Sequence, residues 1–422
     1  MNNMTHGEPA TPYNPCEAVA PLDPCNVPRR RCSVPEAASR RILVMNFRAF
    51  GDLLMASPLL NALRSAMPDA HLSFLAERRY REGVDAHPCL DELLLWDPEE
   101  WAKILDTKIK RTWFLRVRKM KQALRGRRYD VFISLDPEKW SMTVRGIAAP
   151  LSIGVFDTFR QTDNAIATSR YARLFHVAYV HPNLPEHRTD QYLLPLHALD
   201  LPEPVEKAMC LGFTADDAAA AERFLESWSV SAHEPLVVVA PMTTWSSRCW
   251  PAEYYVKLSN ALARYHGCRV ILIGSQKERP DIEDIAARME TIPILAAGVL
   301  SFRQMGALIA RSRLLISGDT GPMHVAAAVG TPYVTLFGPT PVAARAPLMG
   351  RGRTLVHPVP CGPCDQAACS QVGEDYLRCL HSITVDHVLK AAEPLLQPSI
   401  PVQNESLPKK TSAGVRQAAD AV

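Results

Sequence analysis

Short runs of uninterrupted apolar residues constrain this 422-residue chain more than any other feature. A strand with one wet face alternates apolar and polar side chains, and these runs do not. Leu236-Val-Val-Val-Ala240 is apolar throughout, and Ile42-Leu-Val-Met-Asn46 and Tyr333-Val-Thr-Leu-Phe337 are nearly so. Strands buried on both faces belong to parallel sheets covered by helices, and helical patterns separate these runs. The spacing predicts strands over 42–46, 71–76, 129–135 and 152–156, with a helix over 52–67 and a closing helical stretch over 187–201. A helix over 216–228 then leads to a second series: strands over 236–240, 269–273, 314–317 and 333–337, with helices over 254–265 and 302–310. The expected fold class is α/β.

The chain is too long for one ordinary domain. Residues 1–40 hold seven prolines, three cysteines and no apolar period, and read as a disordered arm. Two α/β domains follow, over 41–210 and 211–385, then a helix over 386–397 and a polar, disordered tail over 398–422. The formal net charge of +3 argues against a dedicated nucleic-acid binder. No run approaches the roughly 18 apolar residues of a membrane span, and no secretory leader is visible. A cytoplasmic location is therefore expected. The small net charge conceals one basic segment, residues 108–128, with ten Lys and Arg side chains and no acid. It reads as a helix with a solvated basic face, or as a surface that meets anionic lipid at the inner face of the membrane or a phosphorylated acceptor.

In open α/β sheets, ligands bind beyond the C-terminal ends of the strands. Three unusual segments fall there. After the first strand comes Phe47-Arg-Ala-Phe-Gly51-Asp52, where Asp52 is either a helix N-cap or a general base. After the strand over 236–240 comes Met242-Thr243-Thr244-Trp-Ser-Ser-Arg248-Cys-Trp250-Pro251. Arg248 is either a solvated charge or, with those hydroxyls and a helix start, part of a phosphate site. The third is Ser317-Gly-Asp319-Thr320-Gly321-Pro322-Met-His324, running to Gly330. It reads as a glycine loop into a short helix whose free N–H groups suit a diphosphate, with a plain turn as the alternative.

Together, FRAFGDLLMASPLLNALR, TTWSSRCWP and SGDTGPMHVAAAVGTP with LFGPT resemble glycosyltransferase family 9, the ADP-heptose:lipopolysaccharide heptosyltransferases. The resemblance covers roughly residues 41–395. It implies a GT-B fold, two Rossmann-like domains facing a central cleft. It also implies inverting, metal-independent transfer of a heptose from ADP-heptose to a sugar of the lipopolysaccharide inner core. By resemblance Asp52 matches the general base, and Thr243 and Thr244 match hydroxyls near the donor phosphates. Arg248 stands where relatives often carry Lys, and serves with Asp52 in catalysis. Asp319, Thr320, Gly321 and His324 match a donor-binding segment, and Glu278 matches an acid that reaches the donor ribose. The chain has no Asp-x-Asp, in keeping with a diphosphate held by protein groups.

Cys361-Gly-Pro-Cys364, with Cys369 and Cys379, offers four thiols that suit structural zinc or iron; loosely packed free thiols are the other reading. Some relatives that glycosylate autotransporter proteins hold iron through cysteines, so a protein acceptor stays open beside a lipid-linked one, as does another nucleotide sugar. A NAD-dependent oxidoreductase is disfavoured, because no Gly-x-Gly-x-x-Gly follows a strand. A noncatalytic scaffold has no need of Asp52, Arg248 and Asp319 together.

Overall fold

The computed structural model describes residues 40–97, 122, 124, 126–135, 149–156, 175–180, 186–397 and 416–417. The arm over 1–39, most of the basic segment and most of the tail lie outside the described residues. The chain divides into two units between Gly212 and Phe213.

In the first unit, β1 (Arg41–Met45) leads through α1 (Phe50–Ala66) to β2 (His71–Glu77) and β3 (Glu92–Trp96). Next come β4 (Val131–Ser134), β5 (Leu151–Phe156), β6 (Val177–Val180), α2 (Arg188–Leu193) and α3 (Pro195–Ala198). The second unit begins with α4 (Ala215–Ser227), β7 (Leu236–Ala240), α5 (Ala252–His266), β8 (Arg269–Leu272), α6 (Arg279–Ala287) and β9 (Ile294–Leu295). It continues with α7 (Phe302–Arg311), β10 (Leu314–Gly318), α8 (Gly321–Val329), β11 (Tyr333–Phe337), α9 (Val342–Arg345), β12 (Gly352–Val356), α10 (Arg378–His381) and α11 (Val385–Leu396). Finally β13 (Arg416–Gln417), from the segment expected to be tail, adds two parallel residues beside β3 in the first sheet.

All described strand pairs are parallel. Apart from β13, the first sheet runs β3-β2-β1-β4-β5-β6 and the second β9-β8-β7-β10-β11-β12. Counted within each unit, both follow the order 3-2-1-4-5-6 of doubly wound Rossmann sheets. That order reverses direction between β1 and β4, and again between β7 and β10. A crevice for ligand opens at such a switch point.

The expected α/β architecture is therefore present twice. In the second unit, Val237 and Val239, Leu314 and Ile316, and Val334 and Leu336 share one face of the sheet, two residues apart as the pleat requires. Leu258 and Leu262 of α5, Ile282 and Ile285 of α6, and Val388 and Ala392 of α11 close over them. In the first, Leu43, Met45, Leu75, Leu94 and Trp96 form the corresponding cluster.

Several elements differ from the sequence reading. The helical stretch over 187–201 breaks into α2 and α3, because Pro195 has no N–H to continue the ladder. β3, β6, β9 and β12 were not anticipated. β9 has only two residues, and β12 lies at the sheet edge with just one buried residue. Pro58 sits inside α1, where its missing N–H orphans the Leu54 carbonyl. Ser57 Oγ repairs the gap by donating to Leu54 O at 2.6 Å.

Candidate functional site

Each unit carries a cluster at its switch point. In the first unit, the buried Asn46 directly follows β1, and its Oδ1 accepts the Arg48 N–H at 3.0 Å. This two-residue turn swings the chain off the strand so that α1 begins at Phe50. Ala49 is the N-cap and makes no side-chain bond, so Asp52 is not the cap; it lies in the first turn. There its charge meets the positive end of the helix dipole.

Asp52 is held by groups distant in sequence. Tyr192 Oη donates to Asp52 Oδ1 at 3.0 Å, and Arg188 Nε stands 3.9 Å from the same oxygen. Arg188 and Tyr192 lie one helical turn apart on α2, with the guanidinium 5.8 Å from the Tyr192 ring centroid. A 3-10 turn, Arg78–Gly83, follows β2 and brings Tyr80 against Phe50, ring centroids 5.1 Å apart. Burial raises the Tyr80 pKa; Arg79 opposes that shift, while Glu77 and Asp52 add to it.

In the second unit the strand ends of β7, β10 and β11 meet. Thr243 Oγ1 donates to Trp245 O at 2.7 Å, and a short turn over Ser246–Arg248 brings the guanidinium inward. Arg248 Nε is 3.4 Å from Asp319 Oδ2, and its Nη1 donates to Asp319 O at 3.4 Å. Thr340 Oγ1 donates to the same Asp319 Oδ2 at 2.6 Å. The Arg248 guanidinium also lies over the Trp245 ring, 3.7 Å from its centroid. Gly318 permits this close packing: a Cβ there would stand 3.0 Å from Thr243 Cγ2 and 3.1 Å from Arg248 O.

α8 starts directly after this cluster. Thr320 is its N-cap, Gly321 its first residue and Gly330 its left-handed stop at φ 80°. Pro322 is its second residue, where the missing N–H breaks no helix bond. His324 is buried one turn in, and Thr244 is exposed. Thr243, Arg248, Asp319, Thr320, Gly321 and His324 thus belong to neighbouring strand ends. Glu278 bonds within its own turn, where Oε2 accepts the Ser275 N–H at 2.7 Å and the Ser275 hydroxyl at 2.8 Å.

Cys361, Cys364, Cys369 and Cys379 all line one pocket, beside Ser247 and Gly338. Burial pushes the Cys379 thiol up to about 11; Cys361, Cys369 and Cys364 add to the shift and a bond from Leu380 N–H opposes it. Cys369 Sγ accepts the Leu377 N–H at 3.4 Å. Among the described residues, no three His, Cys, Asp or Glu side chains stand close enough together to hold an ion. This segment also braces the Arg248 loop. Ser247 Oγ donates to Gln366 O at 2.6 Å, and Arg345, 5.8 Å from the Trp245 centroid, pairs with both Asp365 oxygens at 3.0 Å.

Sequence reasoning missed Arg188, Tyr192, Trp245, Thr340, Arg345 and Asp365. Thr340 and Trp245 had a signal, since they lie inside the LFGPT and TTWSSRCWP segments.

Comparisons with known proteins agree on one family. The sequence model of glycosyltransferase family 9 (heptosyltransferase) matches residues 117–373. Lipopolysaccharide heptosyltransferase 3 of Escherichia coli K12 is 28% identical over 301 residues, covering 69% of this chain and 81% of that protein. A family 9 glycosyl transferase structure from Veillonella parvula superposes with a TM-score of 0.72 at 22% identity, covering 86% of this chain and 99% of that one. The structure of E. coli ADP-heptose LPS heptosyltransferase II superposes at 0.66 with 23% identity, covering 84% and 98%.

Proposed function

The chain belongs to glycosyltransferase family 9, and from that premise we propose that it moves a heptose from ADP-heptose to an inner-core sugar of lipopolysaccharide, inverting the anomeric carbon. The observation that carries this reading is the cluster at the β7–β10 switch point. There a guanidinium fixed by Asp319 and stacked on Trp245 adjoins the free N–H groups that open α8. Such a pairing of fixed cation and helix N-terminus suits a diphosphate. E. coli heptosyltransferase II, similar in fold, is described as an ADP-heptose enzyme.

In this reading the acceptor hydroxyl attacks the anomeric carbon from the face opposite the diphosphate. Asp52 takes the hydroxyl proton as the new C–O bond forms. The bond to the diphosphate oxygen breaks, and ADP leaves with the electron pair. Arg248 and the amides of Thr320 and Gly321 stabilise the negative charge that gathers on it, in place of a catalytic metal. Thr243 shapes the loop that carries Arg248, and exposed Thr244 offers a hydroxyl to the phosphates. His324 lies on the donor side, and Glu278 would reach the ribose through Oε1, its other oxygen being held by Ser275.

A structural zinc or iron held by the four cysteines is part of this reading, supported by their common pocket; binding requires the thiols to draw closer together than they stand. Metal analysis of the purified protein and of Cys361→Ser tests it, and wild-type protein free of both metals overturns it. The enzyme works at the cytoplasmic face of the membrane, with residues 108–128 against anionic lipid; no described helix is long and apolar enough to cross a bilayer. Liposome binding unaffected by charge reversal at Arg116, Arg118 and Lys119 removes that contact.

The central test is a panel of nucleotides and nucleotide sugars. ADP is expected to raise the melting temperature more than UDP or GDP, and ADP-heptose to be consumed with acceptor. Preference for UDP overturns the donor assignment. Asp52→Asn is expected to abolish transfer while ADP still binds, and equal turnover by that variant removes the base.

A further inference from the structure

The described hydrogen bond and the described ion pair of the Asp52 side chain fall on one oxygen. Tyr192 Oη donates to Oδ1 at 3.0 Å, and Arg188 Nε lies 3.9 Å from that atom. Among the described residues no side chain is bonded to Oδ2. Arg188 and Tyr192 come from the same face of α2, and α2 packs along α1. Tyr192 is completely buried, so its hydroxyl cannot turn to water, and a buried phenol needs a partner. Arg188 is fixed as well: its Nη1 donates to Gln191 Oε1 at 2.9 Å, while its guanidinium lies beside the Tyr192 ring. Its side chain is 17% exposed, which keeps its charge partly withdrawn from solvent screening.

A carboxylate that removes a proton must present one oxygen to that proton along a defined line. An unsupported Asp side chain turns about its terminal torsion, which is broad. The Tyr192 hydrogen bond, with the Arg188 guanidinium 3.9 Å from the same atom, restrains that rotation. We infer that Tyr192 and Arg188 are a positioning pair that locks Asp52 with Oδ2 toward the acceptor hydroxyl. The inference rests on the reading of Asp52 as general base. A packing role alone is the competing account of Tyr192, and phenylalanine would satisfy packing equally well. Tyr80, from the turn after β2, also acts electrostatically with this carboxylate, and Arg79 and Glu77 act on Tyr80 in turn. They remain in every variant below, so they cancel from the comparison.

The test is Tyr192→Phe in the full chain, followed by steady-state kinetics with ADP-heptose and acceptor. The expected result is a kcat about tenfold lower with donor KM within twofold of wild type, since a lost hydrogen bond to a charged group is of that order. Phenylalanine keeps the packing, so a loss confined to kcat marks positioning of the reacting carboxylate and not a structural role. Arg188→Gln, whose residue reaches the surface, lowers kcat with donor KM held and serves if Tyr192→Phe does not fold. In an Asp52→Asn background, Tyr192→Phe produces no further loss. If Asp52→Asn itself retains turnover, the base reading fails. If Asp52→Asn is inactive while Tyr192→Phe and Arg188→Gln keep the wild-type kcat, the positioning pair alone is overturned.

Discussion

Arg248 Nε lies 3.4 Å from Asp319 Oδ2, with the two side chains only 11% and 5% exposed. Withdrawing two charges from water is costly, and the cluster offsets it with further bonds to the same groups. Thr340 completes the carboxylate and Trp245 covers the guanidinium. Removing one member leaves the other charged and buried. Asp319→Ala is therefore expected to destabilise the second unit by about 3–5 kcal/mol. It also frees Arg248 from its fixed position, so ADP affinity falls. Denaturant titration and calorimetry with ADP check both effects, and a variant unchanged in both removes Asp319 as the anchor.

Trp245 carries the guanidinium on its ring, 3.7 Å from centroid to cation. A cation–π contact of this kind contributes about 0.5–2 kcal/mol, the larger value where water is excluded. Trp245→Ala is expected to raise donor KM several-fold while the melting temperature changes little. Trp245→Phe keeps a ring beneath the cation and recovers most of the affinity. Equal KM values for the alanine and phenylalanine variants contradict a role for the ring.

The switch-point loops were legible because parallel strands announce themselves. β1, β7, β10 and β11 are almost wholly apolar, and each hands over to a short segment rich in Gly, Asp, Thr or Arg. What holds those residues was not legible. Tyr192 and Asp52 are 140 positions apart, and Thr340 and Asp319 are 21 apart, so no local spacing links them. Strand order joins them, and strand order is absent from a linear pattern. Asp52 illustrates a boundary error of the same origin: the favoured N-cap residue type was present, but the helix begins two residues before it. Glu278 shows the opposite limit, since a carboxylate that bonds its own Ser275 looks the same in sequence as one that meets a ligand.

Pro58 and Ser57 act as a unit. Ser57 Oγ donates to the Leu54 carbonyl at 2.6 Å and accepts the Cys210 N–H at 2.8 Å, so one hydroxyl satisfies two backbone groups. Ser57 is 1% exposed, and water cannot readily replace it. Ser57→Ala is expected to cost about 2–3 kcal/mol, the penalty for stranding buried polar groups. The urea midpoint should fall with an unchanged slope. A midpoint equal to wild type means that solvent or a shifted backbone supplies both partners.

His87 gives the first unit a pH dependence whose sign follows from burial. It is 1% exposed; its Nδ1 accepts the Cys89 N–H at 3.2 Å, and no described group bonds its buried Nε2. Burial lowers its pKa from 6.5 to about 4. The unfolded chain therefore takes up a proton on His87 at a pH where the folded chain does not. Above about 6.5 both states hold a neutral ring, and His87 adds no slope. As the pH falls from there toward 4 the unfolded state binds more protons and stability declines, by about 3 kcal/mol in all. Below about 4 both states are protonated and this contribution levels off. His87→Gln keeps an acceptor for the Cys89 N–H and cannot titrate. Its stability is expected to vary less than wild type between pH 6.5 and 4, measured as the urea midpoint at half-unit steps. Parallel curves for the two proteins would assign the acid sensitivity to other groups.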